Sequence, residues 1–320
     1  MNATYTLPMK LNRKWAWEHS WLAFTVLGVV VVPTALAVLT IPDLFSIYPS
    51  LPGGTLAAMA LFGAGWGVSL VLFGLALSLV GVAITFAVCL GTSAASGALI
   101  PLLAQRPDKL ATREGALILA GIAAILVGVG LCGVAGNLRD RGAARKQRER
   151  VQPVKGFVFA LLAGLLGSLF NLGLAFGGAI QKAAQERGAS STMVSNAVWL
   201  PCLYAGFIPG VIYCVYLMKK NGNTAGFLGE SRWYYWLMAT FMGALWYGSI
   251  VLYSISAMRL GELGTAIGWP LFLSAIVVAS TVAGLLTGEW AKAGARPLAY
   301  MFGGVVCLVI AIGVLSQASR

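Results

Sequence analysis

The sequence predicts an all-α integral membrane protein. It reads as an inverted repeat of five-helix units with nine complete transmembrane helices, the first unit being one helix short. Three observations predict this. Of 320 residues, 59% are hydrophobic and 10% are charged, with a mean hydropathy of +0.84, whereas a soluble domain carries about 25% charge. The apolar residues gather in long runs, each near or above the roughly 20 residues that one span needs. Two of those runs also repeat one another at a fixed offset.

The runs lie near 20–41, 55–78, 81–103, 115–136, 156–176, 193–218, 233–256, 262–286 and 297–316. Backbone groups in lipid must be satisfied within the segment, so each run is expected to be helical. Pro33, Pro201, Pro209 and Pro270 fall inside runs. Kinks there are tolerated when neighbours satisfy the freed carbonyls, and "GWP" at 268–270 reads as a helix break. The 40 glycines suit helices that approach closely in a membrane.

The loops between runs alternate between two sides. One side, with 10–19, 79–80, 137–155, 219–232 and 287–296, holds 15 of the 22 basic residues. Cytoplasmic loops carry the excess of Lys and Arg, so this side is read as cytoplasmic and the C-terminus as external, in the inner membrane of a bacterium. Topology accounts for the net charge of +12, and nucleic-acid binding is not expected. The run "NLRDRGAARKQRERVQPVK" reads as a solvated linker, with a lipid-headgroup site as the alternative. It divides the chain into 1–138, 139–155 and 156–320. Cys89, Cys132, Cys202, Cys214 and Cys307 all fall in apolar runs without a C-x-x-C pair and read as small buried hydrophobes. His19 is the only histidine, which excludes a histidine-based metal or catalytic cluster within one chain.

"FGAGWGVSLVLFGLALSLVGVAIT" (62–85) aligns without gaps with "MGALWYGSIVLYSISAMRLGELGT" (242–265). Gly63/Gly243, Ala64/Ala244, Trp66/Trp246, Ser69/Ser249, Val71/Val251, Leu72/Leu252, Gly81/Gly261 and Thr85/Thr265 are identical. A weaker echo joins 120–130 to 303–313. The two copies lie on the second and seventh runs, five steps apart, so they face opposite ways. Inverted repeats are a mark of alternating-access carriers, whose substrate site lies near the midplane between copies. The second copy has five runs and the first has four. The partner of 156–176 would precede Met1, so "MNATYTLPMK" reads as the cytoplasmic end of a helix whose remainder is absent. "LNRKWAWEHSW" then reads as the basic, aromatic turn into the next.

"LPMKLNRKWAWEHSW", "LFGAGWGVSLVLFGLAL", "LGELGTAIGWPLFLSAIVVAS" and "GLLTGEWAKAGARPL" resemble the bacterial L-rhamnose–proton symporter family of the drug/metabolite transporter superfamily. The resemblance spans nearly the whole chain, and "KWAWE" and "GEWAKAG" are its more specific parts. It implies ten helices in two inverted five-helix repeats, and proton-driven uptake of L-rhamnose or a related 6-deoxyhexose. The chain departs from the family in lacking most of the first helix, for which a start codon placed too far downstream or a truncated carrier are the two explanations. It departs again at Thr265, where some members carry an acidic residue.

A sugar site needs aromatic faces for C–H surfaces, and amides, hydroxyls or carboxylates for hydroxyl groups. Trp66 and Trp246, related by the repeat, are candidates for stacking on a sugar or for packing. Trp269, at the expected break, is a further candidate. Asn171 and Asn196 are intramembrane amides, costly unless paired, and suit either ligand contact or interhelical hydrogen bonding. Tyr247 and Tyr253 are candidate donors. A proton-coupled carrier needs a titratable group within the membrane. Glu262 is the first candidate, either as a desolvated proton carrier or as a helix N-terminal charge paired with Arg259. Glu289 is the second, either as a coupling group or gate, or paired with Lys292 or Arg296. Glu18, beside the basic cluster, reads as a local ion-pair partner. No nucleophile–base pair, metal cluster or phosphate loop is found, so neither an enzyme nor a cofactor is expected. The partners expected are a small sugar, protons and the bilayer. A drug or metabolite exporter and a non-transporting membrane sensor or assembly subunit are the competing readings.

Overall fold

The computed structural model describes residues 2, 4–6, 8–9, 14–143, 152–229, 233–291 and 293–319. Lys10, Arg13, Lys292 and the basic run 144–151 lie outside the described residues. Every regular element among the described residues is helical. In chain order these are α1 (Trp17–Thr40), α2 (Gly53–Val80), α3 (Val82–Gln105), α4 (Arg113–Ala143), α5 (Pro153–Phe176), α6 (Gly178–Glu186), α7 (Ser195–Asn221), α8 (Thr224–Gly229), α9 (Trp233–Arg259), α10 (Gly264–Leu286) and α11 (Ala295–Gln317). Nine helices among the described residues are long and apolar enough to cross a membrane, α6 extending the span that α5 begins.

Local sequence explains the irregularities. In α1, a π turn at Leu27–Val31 ends two residues before Pro33. Proline has no N–H to return to the preceding turn, and a wider turn is one way a helix absorbs that. Gly81, at φ 83°, makes the bend between α2 and α3, a left-handed conformation that glycine adopts without a Cβ penalty.

The helix that carries Pro270 differs from expectation. α10 runs unbroken through it, after a short 3-10 turn at Gly261–Leu263. The proline lies in the second turn, so one helical bond is lost, the one its N–H would have given to the Ala266 carbonyl. The segment 177–192, read as a loop, holds α6. Its sequence GAIQKAAQE is amphipathic, so hydropathy alone passes over it, although Ala, Gln, Lys and Glu are good helix formers.

Contacts group the chain into two compact units. The first comprises Met1–Val68 and Leu172–Ile255. Its helices meet at glycines. A methyl group at Gly63 would overlap the Cys202 carbonyl, one at Gly67 would overlap the Gly206 carbonyl, and Gly28 meets Gly243 backbone to backbone. Without a hydrophobic drive between helices in lipid, such close approach supplies the packing. Hydrogen bonds add to it: Thr34 Oγ1 and Tyr204 Oη are 2.7 Å apart, and Trp199 Nε1 donates to Ser254 Oγ at 2.9 Å.

The second unit comprises Ser69–Asn171 and Ser256–Arg320. Here Gly121 and Gly128 of α4 sit against Leu315 and Leu308 of α11, and Gly164 of α5 lies against Cys89 and Thr92 of α3. All five cysteines are free thiols.

Candidate functional site

In the first unit four of the expected residues come together. Trp66 and Trp246, the repeat-related pair, stack with ring centroids 5.8 Å apart and planes 19° apart. Gly206 lies against the Trp66 ring, where a methyl group would collide with it. Phe24 meets Trp246 edge-on at 6.1 Å, and Tyr5 lies 5.3 Å from Phe24. Tyr247 adjoins this stack, its ring 6.5 Å from that of Trp246. The Tyr247 hydroxyl donates to Asn196 Oδ1 at 2.9 Å, and Asn196 Nδ2 donates to Thr40 Oγ1 at 3.1 Å. One amide therefore ties α1, α7 and α9, and both of its ends are used. Asn196 and Tyr247 are each 1% exposed, so these bonds sit in a dry setting where an unpaired partner is costly.

The N-terminal segment reaches the same region. Its described residues form a turn at 4–6 and a 3-10 turn at 8–9. Asn2 Nδ2 donates to Ser249 Oγ at 2.9 Å.

Two expected residues lie in the second unit. Asn171 is fully buried, and its Nδ2 donates to the carbonyls of Gly97 at 2.8 Å and Thr265 at 3.2 Å. Thr265 thus contributes its backbone to the polar interior. Trp269 Nε1 donates to the Ser93 carbonyl at 3.0 Å, and its ring fills the space over Gly97. Phe170 packs 6.4 Å from it.

The two expected acidic residues flank α10. Glu262, in the 3-10 turn, pairs with Arg106, where the sequence suggested Arg259; its side chain is 75% exposed. Arg106 also grips Asp108 through Nε to Oδ1 at 3.0 Å and Nη2 to Oδ2 at 2.8 Å. These bonds hold the Asp108 carboxyl below its ordinary range. At the other end Glu289 lies 3.9 Å from Arg139, whose guanidinium sits 4.7 Å over the Trp290 ring.

Sequence reasoning missed one polar cluster, in the first unit. Glu18 and His19, at the start of α1, are 5% and 3% exposed. Asn221 Nδ2 and Asn223 Nδ2 both donate to Glu18 Oε1, at 2.8 and 2.7 Å. Gly222, left-handed at φ 65°, caps α7 and turns the chain so that both asparagines reach one oxygen. The sequence signal is "NGN" after a helix, a glycine C-cap flanked by amides. Among the described residues Glu18 takes amide partners in place of the expected ion pair.

Among the described residues there is no cluster of metal-ligating side chains. Nine helices among the described residues that are long and apolar enough to cross a membrane, with buried amide and indole N–H groups, define a class: a multi-pass α-helical membrane protein. Comparison with known proteins narrows this. The profile of the family described as L-rhamnose-proton symport protein (RhaT) matches residues 1–318. The chain belongs to that family. It is similar to the L-rhamnose-proton symporter of Escherichia coli strain K12 / DH10B, 26% identical over 320 residues, which is 98% of this chain and 93% of the relative. The symporters of the same name from Escherichia coli O17:K52:H18 and from Shigella flexneri are each 25% identical, with the same coverage.

Proposed function

We propose that this protein is a secondary active transporter that takes up L-rhamnose, or a closely related 6-deoxy sugar, together with protons by alternating access. The observation that carries the reading is the match to a symporter family along nearly the entire chain. It favours the symporter over the exporter and the sensor.

In this reading Trp66 and Trp246 offer the aromatic faces for the apolar side of the ring and its methyl group. Asn196 and Tyr247 adjoin them with hydrogen-bonding groups that exchange an internal partner for a sugar hydroxyl. Within the second unit, Asn171 and Trp269 offer hydrogen-bonding groups of their own. Glu262 and Glu289 carry the coupling, and each releases an arginine, Arg106 or Arg139, when it takes up a proton. The two sequence repeats, 1–138 and 156–320, joined by the basic stretch 139–155, supply the two orientations. The basic loops face the cytoplasm and the C-terminus faces out, in the inner membrane of a bacterium. One proton moving inward through 100 mV provides about 2.3 kcal/mol, on the order of a fifty-fold sugar gradient.

The test is substrate-induced proton movement. Adding L-rhamnose to lightly buffered, de-energised cells that express the chain should make the medium alkaline. An unchanged pH with L-rhamnose and with other 6-deoxyhexoses would remove the reading.

A further inference from the structure

The start of α1 holds a buried polar site that the candidate residues above do not use. His19 Nε2 lies 3.2 Å from the Asn223 carbonyl. A carbonyl only accepts, so Nε2 carries the hydrogen and Nδ1 of the neutral ring is a bare lone pair. That Nδ1 is buried and has no hydrogen-bond partner among the described residues. The side-chain oxygen of Asn223, whose backbone carbonyl fixes Nε2, is also buried without a donor. Two acceptors thus lie at one residue pair with no donor for either among the described residues. Buried acceptors of this kind are uncommon and call for an explanation.

The charges around the ring explain what is missing. Glu18 is the neighbouring residue, buried with its carboxylate held by two asparagine amides. With His19 neutral the pair has a net charge of −1 in a low-dielectric setting. A proton on the ring makes the pair neutral overall, and a buried charge is tolerated when it is paired. Among the described residues, the other groups near the site add little opposing charge. Lys14 before α1, and Lys219 and Lys220 at the end of α7, are exposed, with Lys220 over the Tyr216 ring. Cys214 of α7 is a buried, uncharged thiol. The α8 sequence TAGFLG holds no charge, and α9 contributes Tyr235 and Trp236 around Trp15. Phe227 packs over the imidazole at 5.5 Å and Gly226 lies against its edge, which separates the ring from bulk water.

We propose that His19 is a proton-binding site of the transport cycle, taking up its proton at Nδ1, and that Glu18 with Asn221 and Asn223 is the clamp that makes the site. Asn223 already accepts from Nε2 through its backbone carbonyl. Because Asn223 also holds Glu18, protonation redistributes the hydrogen bonds that fasten the start of α1 to the turn after α7. The inference rests on the proton-coupled reading above and adds a group to it that neither Glu262 nor Glu289 supplies.

The lone histidine makes the test direct. Two-dimensional ¹H–¹⁵N spectra of imidazole-labelled full chain in detergent should show the Nε2–H form at high pH and one protonation at Nδ1 as pH falls. Glu18→Gln, which keeps an oxygen for both asparagines but removes the anion, should move that protonation to lower pH. A ring that stays neutral down to acid unfolding, or a titration unmoved by E18Q, would overturn the proposal. In proteoliposomes, where one pH unit supports about tenfold accumulation per proton, His19→Gln keeps a donor for the Asn223 carbonyl without a titrating ring. It should lower gradient-driven accumulation about tenfold more than counterflow exchange. Equal losses in both, or no loss, would also overturn it. Failure of the unaltered chain to move L-rhamnose would instead strike the sugar assignment, and the spectra would still decide the histidine.

Discussion

Tyr247 donates its hydroxyl to Asn196 Oδ1 at 2.9 Å, with both side chains buried. The bond joins α9 to α7, and the other end of the same amide reaches Thr40 on α1. Removing the hydroxyl strands the amide oxygen. Hydrogen bonds between membrane helices average about 0.6 kcal/mol, and an unpaired buried acceptor costs about 1–3 kcal/mol. Tyr247→Phe should therefore destabilise the protein by about 1 kcal/mol in detergent unfolding and weaken L-rhamnose binding. In a double-mutant cycle with Asn196→Ala the two losses should be non-additive; simple additivity would mean that the pair is not coupled.

The stacked pair Trp66 and Trp246 makes a different prediction. If the indole faces bind the sugar ring, Trp246→Ala should raise the dissociation constant about tenfold, the equivalent of 1.4 kcal/mol. Trp246→Phe, which keeps an aromatic face, should lose much less. Titration calorimetry with L-rhamnose checks this. Equal losses for Ala and Phe would point to packing alone.

Two glycines on α2 should respond oppositely. A methyl group at Gly63 meets the Cys202 backbone, whereas nothing lies within 4 Å of one at Gly74. Gly63→Ala should cost about 1–3 kcal/mol through overpacking. Gly74→Ala should be neutral or stabilise by up to about 1 kcal/mol, since Ala is the better helix former. Thermal denaturation of both variants in one detergent gives the comparison.

Arg106 sets a pH dependence outside the membrane segments. Its bonds to Asp108 favour the ionised carboxylate and hold that carboxyl below the ordinary value. A lowered carboxyl stabilises the fold above its unfolded pKa, about 3.9. That contribution is lost as pH falls through the lower folded value. The pair is exposed, so the effect on stability is small. Arg106→Gln should return the Asp108 carboxyl toward its ordinary range, read by ¹³C carboxyl chemical shifts.

How much of this was legible in the sequence depends on the distance over which residues cooperate. Nine apolar runs gave the spanning helices to within a few residues, because hydropathy and backbone burial in lipid leave little choice. α6 escaped because its polar face carries Lys182 and Gln181 while Ile180 and Ala184 are buried. The equivalence of Trp66 and Trp246 could be read from the repeat, but their stacking could not, since a repeat relates positions without placing rings. Glu18 and its amide partners are 203 and 205 residues apart, and nothing local to either stretch announces the other. The partner of Glu262 was likewise sought on the neighbouring turn and found on the segment after α3.

The central claim is that this chain couples sugar uptake to protons. The most direct measurement is the accumulation of labelled L-rhamnose by proteoliposomes holding the purified chain, with an imposed inward proton gradient. The account predicts uptake above equilibrium that a protonophore collapses and that excess unlabelled L-rhamnose suppresses. Uptake that never exceeds equilibrium, or that persists unchanged with the protonophore, would contradict it.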